Sequence, residues 1–342
     1  MNDMELELCG YFDHNFGDDY MQKIAAYYMP EYEFYVTDGF SVSPILLEEQ
    51  NVHIKNVDAT RNLLKLLVIG SGFMVNSRKA LQCELVWFLK SKHIAEFCTG
   101  CNIEPFYNKL AEWLVAQRIK KSKFVICRDQ KSLIWLRENC PGLKTVCMPD
   151  LLFAIPDAWL PAKTNEGRLG ISLLHRDGDA EANPYYTAMA DIADFWIEET
   201  GKGVLLMAFD TGQENDVFSC ECVKKRMKHQ ERAEIVKHGS CSEILHAYAL
   251  CDKVIGARFH SAVLAIKMGI DFYPVIYREK MRNLLSEIQY PEKGCDISNL
   301  DTNSVKQFLC RGSVPFHLDQ SYALQVRDSF ALLKKHIREE LK

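Results

Sequence analysis

The sequence contains no apolar run that approaches the roughly 18 residues needed to cross a bilayer. Its first residues, MNDMELELCGYF, also lack the basic stretch and long apolar core of a secretion signal. We therefore expect a soluble, cytoplasmic protein, and this leaves open peripheral contact with the inner face of a membrane. The formal net charge of −5 gives no overall attraction to nucleic acid, so we expect no nucleic-acid partner.

Residue patterns typical of metal and dinucleotide sites are also missing. The thirteen cysteines are scattered, and neither the CxxC of Cys98 and Cys101 nor the CxC of Cys220 and Cys222 has a second half at zinc spacing. Reduced thiols are the simpler interpretation in a chain without export features. The GSG motif at residues 70–72 lacks the third glycine and the downstream acid of a dinucleotide fingerprint. We therefore predict no metal site and no cofactor.

Two basic runs stand out against the negative net charge. They are QRIKKSK at residues 117–123 and KKRMK at residues 224–228. Most such runs are solvated faces of helices, and we interpret both in this way, although either is compatible with a local basic patch.

Predicted strands and helices alternate along the chain. The predicted strands are residues 5–12, 33–37, 52–57, 65–69, 124–127, 143–148, 168–174, 203–209, 233–237, 253–257 and 272–276. The predicted helices are residues 20–28, 104–121, 131–138, 183–200, 241–250, about 260–268, 302–309 and 320–341. This alternation predicts parallel-sheet α/β domains.

The length of 342 residues suggests two domains, and 48% apolar with 25% charged residues is an ordinary globular composition. A polar, proline-bearing segment at residues 154–167 is the best linker candidate. We therefore predict an N-terminal domain of residues 1–158 and a C-terminal domain of residues 159–342, facing a central cleft. The last helix, residues 320–341, is able to pack back on the first domain.

The stretch from Leu250 to Lys280 has the clearest functional pattern. An apolar strand ends in Arg258, Phe259 and His260, and a helix follows directly. The free N–H groups and the positive dipole end of this helix point to where the guanidinium and the imidazole also lie. The pattern therefore predicts an anion site.

Polar loops follow other predicted strands as well, at residues 15–19, 70–72 and 210–216 and at Arg128 and Arg176. In open parallel sheets, ligands bind at the carboxyl ends of the strands, so these loops are candidates for contact with a ligand. Asp18, Asp19 and Asp129 are equally suited to capping helices, and this structural alternative stays open. Calcium in the 210–216 loop is disfavoured because the EF-hand spacing is absent.

Four stretches resemble the polysaccharide pyruvyl transferase family. They are GYFDHNFGDD, then FVICRDQKSLIWLRENC with VCMPD, then LLHRD, and finally VIGARFHSAVLAIKMG with VIYREK. Together they span most of residues 10–280. The chain departs from the family in having GSG at residues 70–72 in place of three glycines, and Asp271 in place of a proline. No match is found beyond about residue 290.

The resemblance implies a GT-B-like fold, with two Rossmann-type parallel-sheet domains around a central cleft. It also implies transfer of pyruvate from phosphoenolpyruvate to two hydroxyls of one sugar, in a surface polysaccharide or its precursor, giving a cyclic ketal and free phosphate. The partners are then phosphoenolpyruvate, on the C-terminal domain, and a sugar acceptor, on the N-terminal domain. Whether the acceptor is free, nucleotide-linked or lipid-linked is left open.

The resemblance further implies roles for individual residues. His260 is the implied proton donor to the methylene carbon, and Asp18 and Asp19 are candidates for the base. The implied phosphoenolpyruvate-binding residues are Arg258, Arg176, Ser261 and Lys280. A guanidinium fork can bind a phosphate or a carboxylate with two hydrogen bonds, which suits the two arginines. The candidates for contact with the acceptor are Asn15, Gly17, Gly70, Gly72, Arg128 and Asp216.

Two other functions are compatible with these residues. A GT-B glycosyltransferase would use the same helix N-terminus to hold the diphosphate of a nucleotide sugar, and fold alone does not decide between the two. A degenerate, non-catalytic member would bind a glycan or a phosphate without turnover.

Overall fold

The computed structural model describes residues 4–56, 65–70, 72–73, 75, 77–90, 95–103, 106–164, 166–176, 183–239, 242–314 and 316–340. The chain forms two compact units. The first comprises Met1–Phe12, Asp18–Ala154 and Gln320–Lys342, and the second comprises Asp13–Gly17 and Ile155–Asp319. The chain passes from the first unit to the second after residue 154, close to the predicted cut after residue 158, and its C-terminal helix returns to the first unit. The short segment Asp13–Gly17, which belongs to the second unit, was not predicted.

The first unit is built on an eight-stranded parallel sheet. Its strands are β1 (Glu5–Cys9), β2 (Glu33–Thr37), β3 (Val52–Lys55), β4 (Lys65–Ile69), β5 (Gly72–Phe73), β6 (Ala95–Ile103), β7 (Ser122–Cys127) and β8 (Thr145–Cys147). They lie in the order β3-β2-β1-β4-β6-β7-β8, and the short β5 also pairs with β6. The strands are buried along most of their length, as is usual for a parallel sheet covered by helices on both faces.

The second unit contains a six-stranded parallel sheet. Its strands are β9 (Arg168–Ser172), β10 (Val204–Ala208), β11 (Ala233–Lys237), β12 (Cys251–Gly256), β13 (Asp271–Ile276) and β14 (Cys295–Asp296). Their order is β11-β10-β9-β12-β13-β14, so the direction of winding reverses between β9 and β12. In open α/β sheets a ligand crevice lies at the carboxyl ends of the strands at such a reversal.

The helices connect these strands. In chain order they are α1 (Phe16–Tyr28), α2 (Pro44–Leu47), α3 (Arg78–Lys90), α4 (Lys109–Ile119), α5 (Gln130–Asn139), α6 (Pro184–Thr200), α7 (Asp216–Arg226), α8 (Glu243–Ala249), α9 (Phe259–Lys267), α10 (Glu279–Glu287), α11 (Thr302–Cys310) and α12 (Ser321–Glu339). Single 3₁₀ turns occupy Leu151–Ala154, Asp157–Trp159, Gln230–Arg232 and Ile297–Asn299.

Helix α6 shows how local sequence sets these boundaries. The Asn183 side chain accepts a hydrogen bond from the backbone N–H of Tyr185 at 3.1 Å, and Pro184 supplies the fixed φ of the first turn. Gly201 ends the helix with φ +67°, a left-handed conformation that glycine adopts without steric cost.

Helices α3, α4 and α5 cover one face of the first sheet. Their inward residues, such as Leu81, Val115 and Leu136, share one apolar core with Val68 and Cys98 of the strands. The crossover from β1 to β2 runs in the opposite direction across the sheet, so right-handedness places α1 on the other face. Helix α12 lies beside α1, where the rings of Tyr28 and Phe330 stack at 5.3 Å.

Several elements were not predicted from the sequence. Strand β6 is fully buried over most of its length, but Glu96, Thr99 and Asn102 interrupt its apolar pattern, so the sequence does not indicate a buried strand there. Helices α3, α7 and α10 were also not predicted. Helices α7 and α10 have few apolar residues, whereas α3 has apolar residues on its outer face as well, at Leu85 and Val86, which blurs the helical period. No helix among the described residues is long and apolar enough to cross a membrane.

Asp271, where the family often has proline, holds a buried polar network at the amino end of β13. Its carboxylate accepts hydrogen bonds from Lys253 Nζ at 3.3 Å, from Arg311 at 3.2 Å and from the backbone N–H of Val314 at 3.3 Å. Lys253 also donates to the carbonyl of Phe308 at 2.8 Å. The departure from the family therefore fastens the segment after α11 to the second sheet, away from the carboxyl ends of the strands.

Candidate functional site

Arg258 lies at the centre of the candidate site. Strand β12 ends at Gly256, and Arg258 has an extended backbone and forms the N-cap position of α9. Its guanidinium donates to both oxygens of Asp216, from Nε at 2.8 Å and from Nη2 at 2.5 Å, and Nη1 donates to Glu214. The side chain is thus a buried cation held in a two-point ion pair.

Asp216 joins three strand ends through the same carboxylate. Besides the two donors of Arg258, it accepts from the backbone N–H of His175, after β9, at 3.1 Å and from that of Asp210, after β10, at 3.0 Å. It is 0% exposed. This burial argues against the direct contact with a sugar acceptor that the sequence suggested for Asp216, because the carboxylate is already enclosed by four N–H donors. Its observed role is to position Arg258.

The segment Asp13–Gly17 is fastened to the loop after β10. Asn15 Nδ2 donates to Asp210 Oδ2 at 3.1 Å, and the backbone N–H of Phe16 donates to the Phe209 carbonyl at 2.8 Å. Asp13 accepts from the backbone N–H of Gln213 at 2.7 Å. Asn15, predicted to contact the acceptor, therefore has a structural role in holding this segment in the second unit.

His260 lies directly against Gly17. A methyl group added at Gly17 would lie 1.6 Å from His260 Nδ1, a distance at which no carbon atom fits. The backbone N–H of Gly17 donates to Asn15 Oδ1 at 3.1 Å, which fixes the approach. The glycine of the NFGDD stretch is therefore required because the imidazole occupies the space of a side chain.

Further cations surround Glu214. Lys280, on the first turn of α10, has its Nζ 5.5 Å from the centre of the Phe259 ring, and Arg278 precedes the same helix. Burial alone would raise the pKa of Glu214, but the charges of Arg258, Arg278 and Lys280 and the hydrogen bond from Arg258 outweigh it, so the pKa is lowered. The glutamate is therefore an ionised carboxylate in a cationic environment.

Arg176 and Ser261, both predicted to bind phosphoenolpyruvate, differ in where the structure places them. The backbone of Arg176 follows β9, and its N–H donates to the Tyr186 hydroxyl at 3.1 Å, which places this arginine at the same sheet edge as Arg258. Ser261 is 0% exposed, and its hydroxyl lies 2.6 Å from that of the buried Tyr248. The predicted contact between Ser261 and phosphoenolpyruvate is therefore not supported, because its side chain faces the core side of α9.

Arg128 is likewise enclosed. Its guanidinium donates to Asp150 at 2.9 Å and to Asn102 at 2.7 Å, and the three side chains are at most 8% exposed. Asp129 caps α5 by accepting from the backbone N–H of Ser132 at 2.8 Å. This block of the family pattern holds the first unit together, and Arg128, predicted to contact the acceptor, is engaged in these buried contacts.

The remaining acceptor candidates belong to the first unit. Asp18 and Asp19 lie in the first turn of α1, where Asp19 is 1% exposed. Gly70 has φ +61°, and a methyl group there would lie 2.4 Å from Met21 and 3.2 Å from Asp18 Oδ1. Gly72 lies in β5. Asp18 and Gly70 are thus neighbours, while the burial of Asp19 fits a helix-start role.

Sequence reasoning did not single out Glu214, Asp210, Arg278 or His238. Asp210 and Glu214 belong to the polar loop after β10, residues 210–216, which the sequence indicated only as a candidate for contact with a ligand. His238, after β11, is 2% exposed and its ring lies 5.6 Å from that of Phe16. Within the described ranges, no group of three or more His, Cys, Asp and Glu is arranged to hold a metal ion.

Comparison with known proteins identifies the family of this chain. The polysaccharide pyruvyl transferase model matches residues 15–279. The chain belongs to the polysaccharide pyruvyl transferase family. The match includes the Asn15–Gly17 segment, Arg258 and His260, while Asp13 and Lys280 lie just outside it. No curated protein matches the chain by sequence.

Solved structures identify the fold as GT-B type. Staphylococcus aureus MnaA, solved with UDP, aligns with a TM-score of 0.63 and 10% identity over 98% of this chain and 96% of its own. The UDP-GlcNAc 2-epimerase of Methanocaldococcus jannaschii aligns with a TM-score of 0.60 and 9% identity over 97% of this chain and 100% of its own. The Anabaena HepE protein, solved with UDP and glucose, aligns with a TM-score of 0.53 and 11% identity over 98% of this chain and 97% of its own. At these identities the likeness concerns the fold alone.

The ionisation of Asp210 leads to a prediction about stability and pH. Burial raises the pKa of Asp210 from 3.8 to about 6, against the hydrogen bond from Asn15 and the charge of Arg258. A carboxyl with a raised folded-state pKa contributes stability that is fully present below about pH 4 and is lost as the pH rises through about 6. Asp210→Asn should therefore gain stability relative to the parent protein across this window, by up to about 3 kcal/mol.

Urea unfolding of both proteins at several pH values measures this difference. The loss of a hydrogen bond adds only a constant offset, so the slope with pH is the informative quantity. Gly312→Ala, which adds a methyl group in open space, is the control for effects of substitution that are unrelated to the Asp210 carboxyl. A difference between Asp210→Asn and the parent that does not change with pH would contradict the assignment.

The contact between Gly17 and His260 leads to a second prediction. Gly17→Ala should destabilise the protein by about 1–3 kcal/mol, because the added methyl group overlaps the imidazole. In a His260→Ala background the same change should cost much less, since the overlapping ring is gone. Equal costs in the two backgrounds, measured by urea unfolding, would show that the glycine is required for another reason.

Proposed function

We propose that the protein transfers pyruvate from phosphoenolpyruvate to two hydroxyls of one sugar, in a surface polysaccharide or its precursor. The observation that carries the proposal is the cationic site at the start of α9, where Arg258, Lys280 and Arg278 surround the ionised Glu214. Membership of the family supports a transferase acting on polysaccharide. A site with several cations suits a donor that bears both a phosphate and a carboxylate.

The proposed reaction has three balanced steps. His260 donates a proton to the methylene carbon of phosphoenolpyruvate, which becomes the methyl group. The oxygen of the first sugar hydroxyl bonds to C2 and its proton passes to a base. The oxygen of the second hydroxyl then bonds to C2, the bond between C2 and the phosphate oxygen breaks, and phosphate leaves with the second hydroxyl proton. The product is a cyclic ketal.

The three steps require residues that bind the donor, accept a proton and admit the sugar. Arg258 would bind one anionic group of the donor, because its orientation is fixed by Asp216 before substrate arrives. Arg176 and Lys280 would bind the other anionic group. Asp18 is the better candidate for the base than the buried Asp19. Gly70 and Gly72 would allow the sugar to approach the backbone closely, since neither carries a side chain.

Glu214 would act as a temporary partner for Arg258. Its side chain is 45% exposed, whereas that of Asp216 is 0% exposed, so only Glu214 is able to leave the guanidinium without exposing a buried charge. In the proposed complex the donor's anionic group replaces the Glu214 carboxylate on Nη1. Binding therefore exchanges one ionic contact for another and leaves the Asp216 pair intact.

The function itself is tested by release of inorganic phosphate from phosphoenolpyruvate in the presence of a polysaccharide precursor. We expect His260→Ala to lower kcat by at least about 100-fold, the usual loss for a general acid. Arg258→Lys should also lower activity, because lysine keeps the charge but not the two-point contact. Arg282→Ala, at an exposed ion pair on α10, is the control that should keep activity.

Two results would overturn the proposal. Turnover with a nucleotide sugar, and none with phosphoenolpyruvate, would indicate a glycosyltransferase on the same fold. Full biological activity of a folded His260→Ala variant would indicate a non-catalytic member of the family.

The proposed exchange at Glu214 makes a separate prediction for binding. Glu214→Gln should bind phosphoenolpyruvate about fivefold more tightly, because a neutral amide competes less well for the guanidinium. Calorimetric titration measures this without an acceptor. Glu221→Gln, an exposed position on α7, removes the same charge at a distance and should leave the affinity unchanged. Weaker binding by Glu214→Gln would mean that Glu214 helps to hold the donor rather than competing with it.

A further inference from the structure

Helices α3, α4 and α5 present one continuous outer layer of the first unit. Their inward residues share a single core with the same face of the sheet, as Leu81, Val115 and Leu136 show. Helices α3 and α4 also contact each other. Because all three cover the same sheet face, their outward residues point in the same general direction.

This outer layer, which we call the α3–α5 surface, exposes large apolar side chains. They are Leu85 (45% exposed), Val86 (51%), Leu110 (54%), Trp113 (53%) and Ile134 (53%), with Tyr107 (55%) just before α4. They are distributed over three helices rather than gathered in one groove. Scattered single apolar residues are ordinary, but such a group on one layer is typical of an interaction surface.

The charge of the α3–α5 surface is opposite to that of the whole protein. Helices α3 and α5, together with α4 extended to Lys121, carry nine basic and three acidic residues, against a net charge of −5 for the chain. Two of the acids are occupied within the layer, because Glu84 is buried against Arg118 and Glu112 pairs with Lys109. The exposed basic residues are Arg78, Lys79, Lys109, Lys120, Lys121, Lys131 and Arg137.

Helix α12, on the opposite face of the same unit, does not show this combination in its described part. On α12, Leu324 is the large apolar residue that is exposed, and exposed charges of both signs alternate along the helix, as at Arg327, Asp328, Arg338 and Glu339. The joint presence of apolar and basic side chains therefore distinguishes the α3–α5 surface from a generally solvated helix.

We propose that the α3–α5 surface binds an anionic lipid bilayer. Exposed Leu, Val, Ile and Trp side chains enter the boundary between headgroups and acyl chains, while surrounding Lys and Arg pair with anionic headgroups. A distribution over three helices suits a bilayer better than a peptide, which would need a groove. The proposal concerns the first unit alone and does not depend on which reaction the protein catalyses.

The test is co-sedimentation of the full chain with vesicles. We expect binding to phosphatidylcholine vesicles that contain phosphatidylglycerol, weak binding to phosphatidylcholine alone, and release by high salt. Each basic residue near an anionic surface is worth roughly fivefold in affinity, so Lys79→Gln with Lys120→Gln should weaken binding about 25-fold. Lys224→Gln with Lys225→Gln, in the other basic run, is the matched control and should bind as the parent does.

The apolar contribution is tested separately. Leu110→Ser with Trp113→Ser should reduce vesicle binding at least about tenfold, whereas Leu324→Ser on α12 should not. Circular dichroism confirms that each variant is folded. Absence of binding to anionic vesicles, equal loss in the surface and control variants, or capture by an acidic protein with no vesicle binding would each overturn the proposal.

Discussion

The loops at the strand ends of the second unit depend on one buried ion pair. Asp216 and Arg258 are both nearly inaccessible, and a buried charge is tolerated only when its partner and hydrogen bonds compensate for lost hydration. The Asp216 carboxylate meets this condition by accepting from Arg258 and from the backbone after β9 and β10. Three strands that are distant in sequence thus share one anchoring group at the reversal of the sheet.

This anchoring explains why two carboxylates on the same arginine have different roles. Removing Asp216 would leave a cation buried without compensation, so it is a fixed part of the fold. Glu214 is half exposed and lies among further cations, and the proposed exchange with an anionic donor therefore involves this contact and not that of Asp216. A guanidinium that is oriented by one carboxylate and capped by another is organised in advance for an anionic ligand.

The sequence predicted the alternating architecture well, because strands such as β10 (VLLMA) and β13 (DFYPVI) carry clear apolar runs between helical segments. It indicated His260 and Arg258 as candidate site residues through their place between strand and helix, where the structure also has them. It did not predict that Gly17 and Asn15, more than 190 residues from Asp210, fold into the second unit, since their partners are fixed by tertiary contacts rather than by local pattern. It also could not separate Arg128 from Arg258, because both follow a buried strand and both are buried; only the structure shows that the partners of Arg128 are buried as well, whereas Arg258 has one partner, Glu214, that is half exposed.

The two basic runs also cannot be told apart from the sequence alone. By composition, residues 117–123 and 224–228 are alike, and a solvated helix face is a sufficient explanation for each. Topology distinguishes them, because right-handed crossovers in one direction bring α3 and α5 beside α4 and add their exposed apolar side chains to its lysines. Within the first run Arg118 turns inward to Glu84, while Lys120 stays exposed, so the helix contributes both to the core and to an outer surface. A charge run acquires a binding role only through the neighbours that the fold places around it.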